Sequence, residues 1–371
     1  MPTADHPPVS NSLTPLAAVV VLAAGAGTRM KSSLPKVLHR AAGRTLLQHA
    51  ITAGRALTPQ RLCVVVRHER EQVASHALEC DADIVIADQD DIPGTGRAVQ
   101  CALTALGEID GDIVVTAGDT PLLDGELLRE LLAAHRDAGN MVTVLSATLT
   151  NPFGYGRIVR EGERVIGIVE EKDASATERK ITEINTATYV FDANTLREML
   201  TQVDQDNAQG EVYLTDVIAL AAKAGRRVGS HQLADAKSAE GANDRAQLAE
   251  LDRELNQRTL LRWMRQGVSV IDPATTRIDM DVSLGANCTI YPYSQLLGAT
   301  TIAEDVVIGP YTTVSDCEIG AGAQLVRTQA ELSLVGPGAT VGPFTSLGAG
   351  SRVGDNQRIA AHTHVAAPKD E

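Results

Sequence analysis

Beyond Gly267 the chain carries an aliphatic residue at every sixth position, at Ile278, Leu284, Ile290, Leu296, Ile302, Ile308 and Val314. The register slips to Ile319 and Leu325, then resumes at Val335, Val341, Leu347, Val353 and Ile359. Glycine often follows the aliphatic position, as at Gly285, Gly309, Gly342 and Gly354. A short period sustained this long specifies a solenoid, whose triangular coils stack their aliphatic corners into one narrow core. The period is absent before Gly267, so the remainder must build a second, differently patterned core. A chain of 371 residues has the length for two domains.

From Ala17 to about residue 240, short β-branched runs alternate with helical patterns. Ala17–Leu22, Leu62–Val66, Ile84–Ala87 and Ile113–Thr116 read as strands. Thr45–Leu57, Glu69–Leu78, Gly96–Leu106 and Glu126–Ala138 read as helices. That alternation predicts a mainly parallel, Rossmann-like sheet with helices on both faces, an α/β domain. Ligands of such sheets sit at the carboxyl ends of strands, just where Gly25, Gln89, Gly94 and Asp119 fall. Asn243–Arg265 places Leu248, Leu251, Leu255, Leu261 and Met264 near helical spacing and reads as a linking helix. The expected division is a disordered lead-in over 1–15, an α/β domain over 16–242, the linking helix over 243–266, the solenoid over 267–360, and a tail over 361–371.

The first strand runs into Gly25 and Gly27, which let the backbone turn tightly and approach a ligand with no Cβ in the way. Successive N–H groups in such a loop form an anion-binding concavity. Arg29 adds a forked, permanently charged donor, and Lys36, steered by Pro35, a mobile point charge. Strand, glycine turn and spaced cations make a grip for a nucleoside triphosphate. The competing reading is an ordinary tight turn, since Met30 stands where a dinucleotide fingerprint has its third glycine and no Gly-Lys-Ser/Thr follows.

Two further loops carry candidate chemistry. Between Gln89 and Gly96, Gly94 and Gly96 again allow close approach, Thr95 opens a helix, and the Gln89 amide suits the edge of a uracil ring. The alternative is a surface turn capped by Thr95. Asp119, with Gly118 before it and Pro121 beyond, is placed as a hard oxygen ligand for Mg²⁺. Its alternative is a plain turn aspartate. Asn243 is a possible second ligand, though locally it looks like a helix cap.

A net charge of −14 argues against a nucleic-acid footprint and suits specific anion sites on an acidic surface. The five cysteines are scattered and read as reduced packing residues. Residues 1–15 contain no Lys or Arg, and the apolar run after them is short for a signal or a span, so a cytoplasmic protein is expected.

The string Leu22–Met30 with Leu34–His39 resembles the signature of sugar-1-phosphate nucleotidyltransferases. The solenoid resembles the left-handed parallel β-helix of hexapeptide-repeat proteins. Further matching strings are Gly94–Gly96, Gly118–Leu122, Gly154–Ile158, Ile168–Glu170 with Lys172–Asp173, Glu183–Thr186, Asn207–Glu211 with Tyr213 and Thr215–Asp216, and Gly241–Leu248. In order along the chain they resemble the N-acetylglucosamine-1-phosphate uridylyltransferase half of the bifunctional bacterial enzyme that also acetylates glucosamine 1-phosphate.

The resemblance implies that Leu22, Ala23, Ala24, Gly25, Gln89, Gly94 and Thr95 hold uridine, and that Arg29 and Lys36 grip the triphosphate. It implies Mg²⁺ on Asp119 and Asn243, and the amino-sugar phosphate on Gly156, Glu170, Asn185 and Thr215. It also implies a homotrimer built through the β-helix, using UTP and N-acetylglucosamine 1-phosphate in cell-wall precursor synthesis, with no nucleic-acid partner. The family's frequent Asn-Thr-Gly is Asn185-Thr186-Ala187 here. Its Leu-Arg-Pro-Gly, whose arginine is expected to hold sugar phosphate in acetyl transfer, is Leu347 to Gly350 with Gly348 at the arginine position. The later acetyl-transfer strings do not occur, and His362 and His364 read as solvated tail residues, so loss of acetyl transfer is expected. Competing readings are a nucleotidyltransferase for another sugar phosphate, an acyltransferase, and a non-catalytic trimeric scaffold.

Overall fold

The computed structural model describes residues 15–367. Apart from Pro15, the expected disordered lead-in lies outside the described residues. The chain divides into two compact units, one of residues up to His39 with Leu46–Asn243, the other of Arg40–Thr45 with Asp244 onward.

The first unit is a nine-stranded mixed sheet with helices. In chain order it contains β1 (Ala18–Leu22), α1 (Leu46–Arg55), β2 (Arg61–Val66), α2 (Arg70–Cys80), β3 (Val85–Asp88), α3 (Thr95–Leu106), β4 (Asp112–Ala117) and α4 (Gly125–Ala138). There follow β5 (Val142–Thr148), β6 (Arg157–Glu161), β7 (Arg164–Val169), β8 (Glu183–Asp192), α5 (Ala193–Leu200), α6 (Asp216–Lys223) and β9 (Val228–Gln232). The expected elements differ from these at their ends by no more than about two residues, the usual fraying of boundaries.

The strand order is β9-β5-β8-β4-β1-β2-β3. β1 pairs in parallel with both β2 and β4, and β2 with β3. Its side chains alternate between two cores, Val20 packing on one face and Val19 and Val21 on the other. A strand buried on both faces must be apolar throughout, which explains its unbroken aliphatic run. β8 enters antiparallel between β4 and β5. Its register slips between Asn185 and Tyr189, and there Ala187 takes a φ of 58°. Glycine, the family's frequent residue at this position, meets no Cβ penalty in that conformation.

The second unit opens with α7 (Arg245–Arg265), capped by Asp244, whose Oδ1 accepts from the N–H groups of Ala246 and Gln247 at 2.9 Å each. Leu260 at its C-terminal end joins the solenoid core. The segment 40–45, expected inside the first domain, instead forms a small antiparallel ladder in this unit. The Ala42 N–H donates to Asp252 Oδ1 at 2.7 Å and its carbonyl accepts from the Met280 N–H at 3.0 Å. Three purely parallel sheets of short strands make the three faces of the coil. Ile278, Ile290, Leu296, Ile302, Ile308, Val314, Ile319 and Leu325 all point into one core.

At one corner the ring of Tyr293 stacks on Tyr311 at 4.8 Å, Arg327 lies over both Tyr311 and Phe344, and Phe344 stacks on His362 at 5.1 Å. The coil also runs further than expected. His364–Val365 pairs in parallel with Thr345–Leu347, so His362 and His364 belong to a coil and not to a tail. The periodicity was hidden because the inward position of this last strand is the half-buried Val365 at the end of a polar run. Among the described residues no helix is long and apolar enough to cross a membrane, and the five cysteines form no disulfide.

Candidate active site

Parallel pairing brings the ends of β1, β3 and β4 to one edge of the sheet. The Gly118 N–H donates to the Leu22 carbonyl at 2.9 Å, and the Ala23 N–H donates to Val65 at 2.9 Å. At Gly25 an added Cβ would meet nothing within 4 Å, so the loop faces open space there. Gly27 does something different from what its spacing suggests. With φ at 60°, a Cβ would strike Lys36 Cβ at 2.4 Å, so this glycine lets the lysine stem pack against the loop.

That packing aims Lys36 at two oxygens. Its Nζ forms an ion pair with Asp119 Oδ2 and donates to Asn243 Oδ1 at 3.4 Å. Arg29 Nη2 donates to the same Asn243 oxygen at 2.8 Å. Asn243 is free of the capping role its position suggested, because Asp244 takes it. Asn243 is instead carried in by Gly241 and Ala242, whose N–H donates to the Asp119 carbonyl at 3.0 Å. Asp119 and Asn243 thus present hard oxygens to one ammonium, and a divalent cation takes the same donor chemistry. Among the described residues no group of three or more His, Cys, Asp or Glu is arranged to hold a metal. An oxygen pair completed by substrate phosphates is the way Mg²⁺ is commonly bound.

The second glycine loop also departs from expectation. Gly94, with φ at 122°, and Gly96 make room for protein backbone and not for a ligand. A Cβ at Gly94 would lie 2.2 Å from the Val212 carbonyl oxygen, and the Gly96 N–H donates to that oxygen at 2.8 Å. Thr95 Oγ1 accepts from the Leu214 N–H at 3.2 Å. Gln89 turns its amide donors inward, to the carbonyls of Ile92 at 3.0 Å and Gly94 at 3.2 Å, which leaves Oε1 as its outward face.

The start of α6 after Leu214 begins the second half of the crevice. Thr215 Oγ1 donates to Glu170 Oε1 at 3.1 Å. Gly156 lies against the other carboxylate oxygen, where a Cβ would sit 3.2 Å from Glu170 Oε2. Burial, opposed by the Thr215 hydrogen bond and reinforced by Asp216, Asp173 and Glu211, pushes the Glu170 carboxyl above its ordinary value. These side chains border a cavity of about 200 Å³. Asn185 is more embedded than expected. Its Nδ2 donates to Tyr189 Oη at 2.8 Å and its Oδ1 accepts from the Ala187 N–H at 3.1 Å, so it braces the β8 irregularity.

Several contributors escaped the sequence reading. Arg157, fully buried, donates through Nη2 to Glu171 Oε2 at 2.7 Å, and the Gly154 N–H donates to that same oxygen at 3.2 Å. This pair pins the glycine loop beside Glu170 and holds the Glu171 carboxyl below its ordinary value. Lys172 bonds Gln209, and Gln209 Nε2 donates to Tyr213 Oη at 2.8 Å, which ties the Asn207–Glu211 loop to the same wall. Burial pushes the Tyr213 hydroxyl up to about 12. Tyr155 borders Glu240 and Asp119, and burial first, then these carboxylates, raises its hydroxyl. The only signal for these residues was their place inside strings already singled out or, for Glu171, between two of them.

Residues 19–185 match the family described as MobA-like NTP transferase domain, and residues 281–316 match bacterial transferase hexapeptide (six repeats). The chain is 54% identical over 329 residues to the bifunctional protein GlmU of Pseudarthrobacter chlorophenolicus, covering 88% of this chain and 67% of that protein. It is 49% identical over 332 residues to the bifunctional protein GlmU of Cutibacterium acnes, covering 88% of this chain and 79% of that one. Among solved structures, UDP-glucose pyrophosphorylase complexed with UDP-glucose aligns with a TM-score of 0.53 at 15% identity, over 66% of this chain and 99% of that one. At that identity the likeness speaks for the fold alone.

The half-buried carboxylate of Glu170 generates a test. Since the folded protein holds the Glu170 proton more tightly than the unfolded chain, ionisation of Glu170 costs stability as pH rises above the ordinary carboxylate value. Glu170→Gln removes that cost. Its melting temperature should exceed the parent's near about pH 7.5, with the difference vanishing below the usual carboxylate pKa of about 4.3. Parallel pH profiles for the two proteins would show that Glu170 carries no such cost.

Proposed function

The chain belongs to the GlmU family and is a nucleotidyltransferase with the uridylyltransferase role, and on that premise we propose the substrates, metal and residues of its reaction. UTP and N-acetyl-α-D-glucosamine 1-phosphate give UDP-N-acetylglucosamine and pyrophosphate, a step that feeds cell-wall synthesis. The observation that supports this assignment best is the convergence of Arg29, Lys36, Asp119 and Asn243 at the carboxyl edge of the parallel strands.

A phosphate oxygen of the sugar phosphate attacks the α-phosphorus of UTP. The new P–O bond forms as the bond to the β-phosphate breaks, and pyrophosphate leaves in line. A phosphate monoester has its second pKa near about 6, so the nucleophile is already an anion at neutral pH and no general base is required. Catalysis is then positioning and charge neutralisation. The loop from Leu22 through Ala23 and Ala24 to Gly25 would receive the nucleoside, with Gly25 at its open end and Ala23 anchored in the core. Gln89 Oε1 can accept from the uracil N–H, with Gly94 giving the Val212 backbone room to cross and Thr95 fixing that loop through Leu214. Arg29 and Lys36 neutralise charge gathering on the leaving pyrophosphate.

Asp119 and Asn243 would hold Mg²⁺, which when bound supplies charge neutralisation on the phosphates. Lys36 lies beside both oxygens, within reach of a phosphate held there. Glu170, Gly156 and Thr215 would receive the amino sugar, Glu170 as acceptor for its hydroxyl or amide donors. Asn185 serves the same wall chiefly by holding its shape. The absence of disulfides suits a reducing cytoplasm, the compartment we assign.

We assign no acetyl transfer to this chain, because Gly348 stands where the resemblance places a phosphate-binding arginine. The β-helix acts as the assembly element of a homotrimer, since a narrow solenoid exposes flat faces that gain by packing on neighbours.

Pyrophosphate release with UTP, Mg²⁺ and a panel of sugar 1-phosphates tests the assignment, N-acetylglucosamine 1-phosphate being the preferred acceptor. Asp119→Ala and Lys36→Ala should each lower turnover by about 10²–10³. Near-parent rates at saturating Mg²⁺ and UTP would sink these roles. Thiol release from acetyl-CoA with glucosamine 1-phosphate should stay at background, and enzyme-dependent release overturns the second assignment. Light scattering at micromolar concentration should give the mass of three chains, and a monodisperse monomer contradicts the trimer.

A further inference from the structure

A second concavity in the first unit, of about 570 Å³, shares no lining residue with the catalytic groups. It lies between the β6–β7 hairpin and the turn from α6 to β9. Arg160 and Arg164 reach it from the hairpin, and Arg226 and Arg227 from the turn. Against these four guanidiniums the lining contains one carboxylate, Glu163, in a chain whose net charge is −14. An acidic chain has ample carboxylates to pair its arginines, yet here it pairs only some of them. Arg160 is neutralised by Glu183, at 2.7 Å from both Nε and Nη2, and bonds Ser230 Oγ at 2.5 Å. Arg226 meets Glu198 at 2.9 Å, with both side chains about half exposed, a pairing of small worth in water. Arg164 and Arg227 have no ion-pair partner among the described residues.

The plain reading of Arg226 and Arg227 is that basic residues just past a helix end complement its dipole. That accounts for one wall only. Arg160 and Arg164 come from a hairpin on the opposite side and have no helix to complement. At the floor the Asn140 side chain fills the space beside Gly229. Gly229 has no side chain, and a Cβ there would lie 2.4 Å from Asn140 Nδ2. The buried Asn140 amide donates one hydrogen to Thr143 Oγ1 at 3.0 Å and has a second to offer.

We propose that this concavity binds a small anion with at least two phosphoryl groups, of the pyrophosphate class. Each wall offers one guanidinium fork without an ion pair, Arg164 on the hairpin and Arg227 on the turn, and such forks match phosphate oxygens two at a time. Two opposed forks, one on each wall, suit two linked phosphoryl groups better than a single phosphate. The volume falls within the range of small-molecule sites. The site is distinct from the catalytic grip, which recognises polyphosphate through Arg29 and Lys36.

Calorimetric titration of inorganic pyrophosphate into the full chain, with chelator present to remove divalent metal, tests the proposal. Lys36→Ala disables the catalytic grip, and Arg164→Gln with Arg227→Gln disables the new site. Both arginines are exposed and outside the catalytic groups, so this double variant should keep the parent's melting temperature and pyrophosphate-release rate. A binding phase should survive Lys36→Ala and weaken about tenfold or more in the double variant, as expected for losing a charge-assisted hydrogen bond. Each single variant should weaken it in the same direction, which keeps the test decisive should the double variant be unstable. The proposal is overturned if the double variant binds as the parent does, if no phase survives Lys36→Ala, or if sulfate at equal concentration competes as well as pyrophosphate.

Discussion

Parallel pairing of β1 with β2 on one side and β4 on the other is the constraint on which the catalytic unit rests. Parallel neighbours end at the same edge, so Leu22, Asp88 and Ala117 deliver their loops side by side although crossover helices separate them in sequence. A parallel connection must cross a face, and each crossing helix buries an apolar stripe against the sheet. The unbroken valines of β1 follow from burial on both faces. Reactive side chains are thereby confined to the loops, and the loops are fixed by hydrogen bonds to strand ends, such as Gly118 to Leu22.

At that edge the electrostatics are arranged in advance of any ligand. Lys36 already sits against Asp119 and Asn243, and Arg29 against Asn243. The oxygens assigned to a metal and the cations assigned to phosphate thus satisfy one another. Lys36 and Asp119 therefore leave neither of their charges unpaired, which avoids the cost of burying an unpaired ion. On the opposite wall the balance differs. Half-buried Glu170 has a threonine donor and acidic neighbours, and its carboxyl is held above its ordinary value.

The solenoid shows a separate economy. Its corner residues Tyr293, Tyr311, Arg327, Phe344 and His362 all adopt left-handed φ between 46° and 60°. Side chains larger than glycine pay strain there, and stacking between adjacent coils recovers part of it through ring–ring and cation–ring contact. Exposed aromatics that would look like a liability in a linear reading are thus one another's partners.

How much of this was legible in the residues follows from what each signal depends on. The six-residue period and the strand–helix alternation report burial, which repeats along the chain, so both architectures could be read directly. The proposed phosphate grip is suggested by local sequence because Gly25, Arg29 and Lys36 lie close together along the chain. Where the outcome depended on a distant segment, the linear signal was ambiguous or pointed elsewhere. Gly94 and Gly96 are glycines because the Val212 backbone crosses them, and Gly27 because Lys36 packs on it. Asn243 and Asp244 are equal candidates for a cap, and only the approach of Gly241 and Ala242 to Asp119 assigned the cap to Asp244 and Asn243 to the site. The segment 40–45 joined the second unit through Asp252 and Met280, far along the chain. The sequence by itself determined which residues are buried and in what period. The tertiary structure decided which polar groups meet, because a hydrogen bond or ion pair is settled by ångström distances between segments that no local pattern encodes.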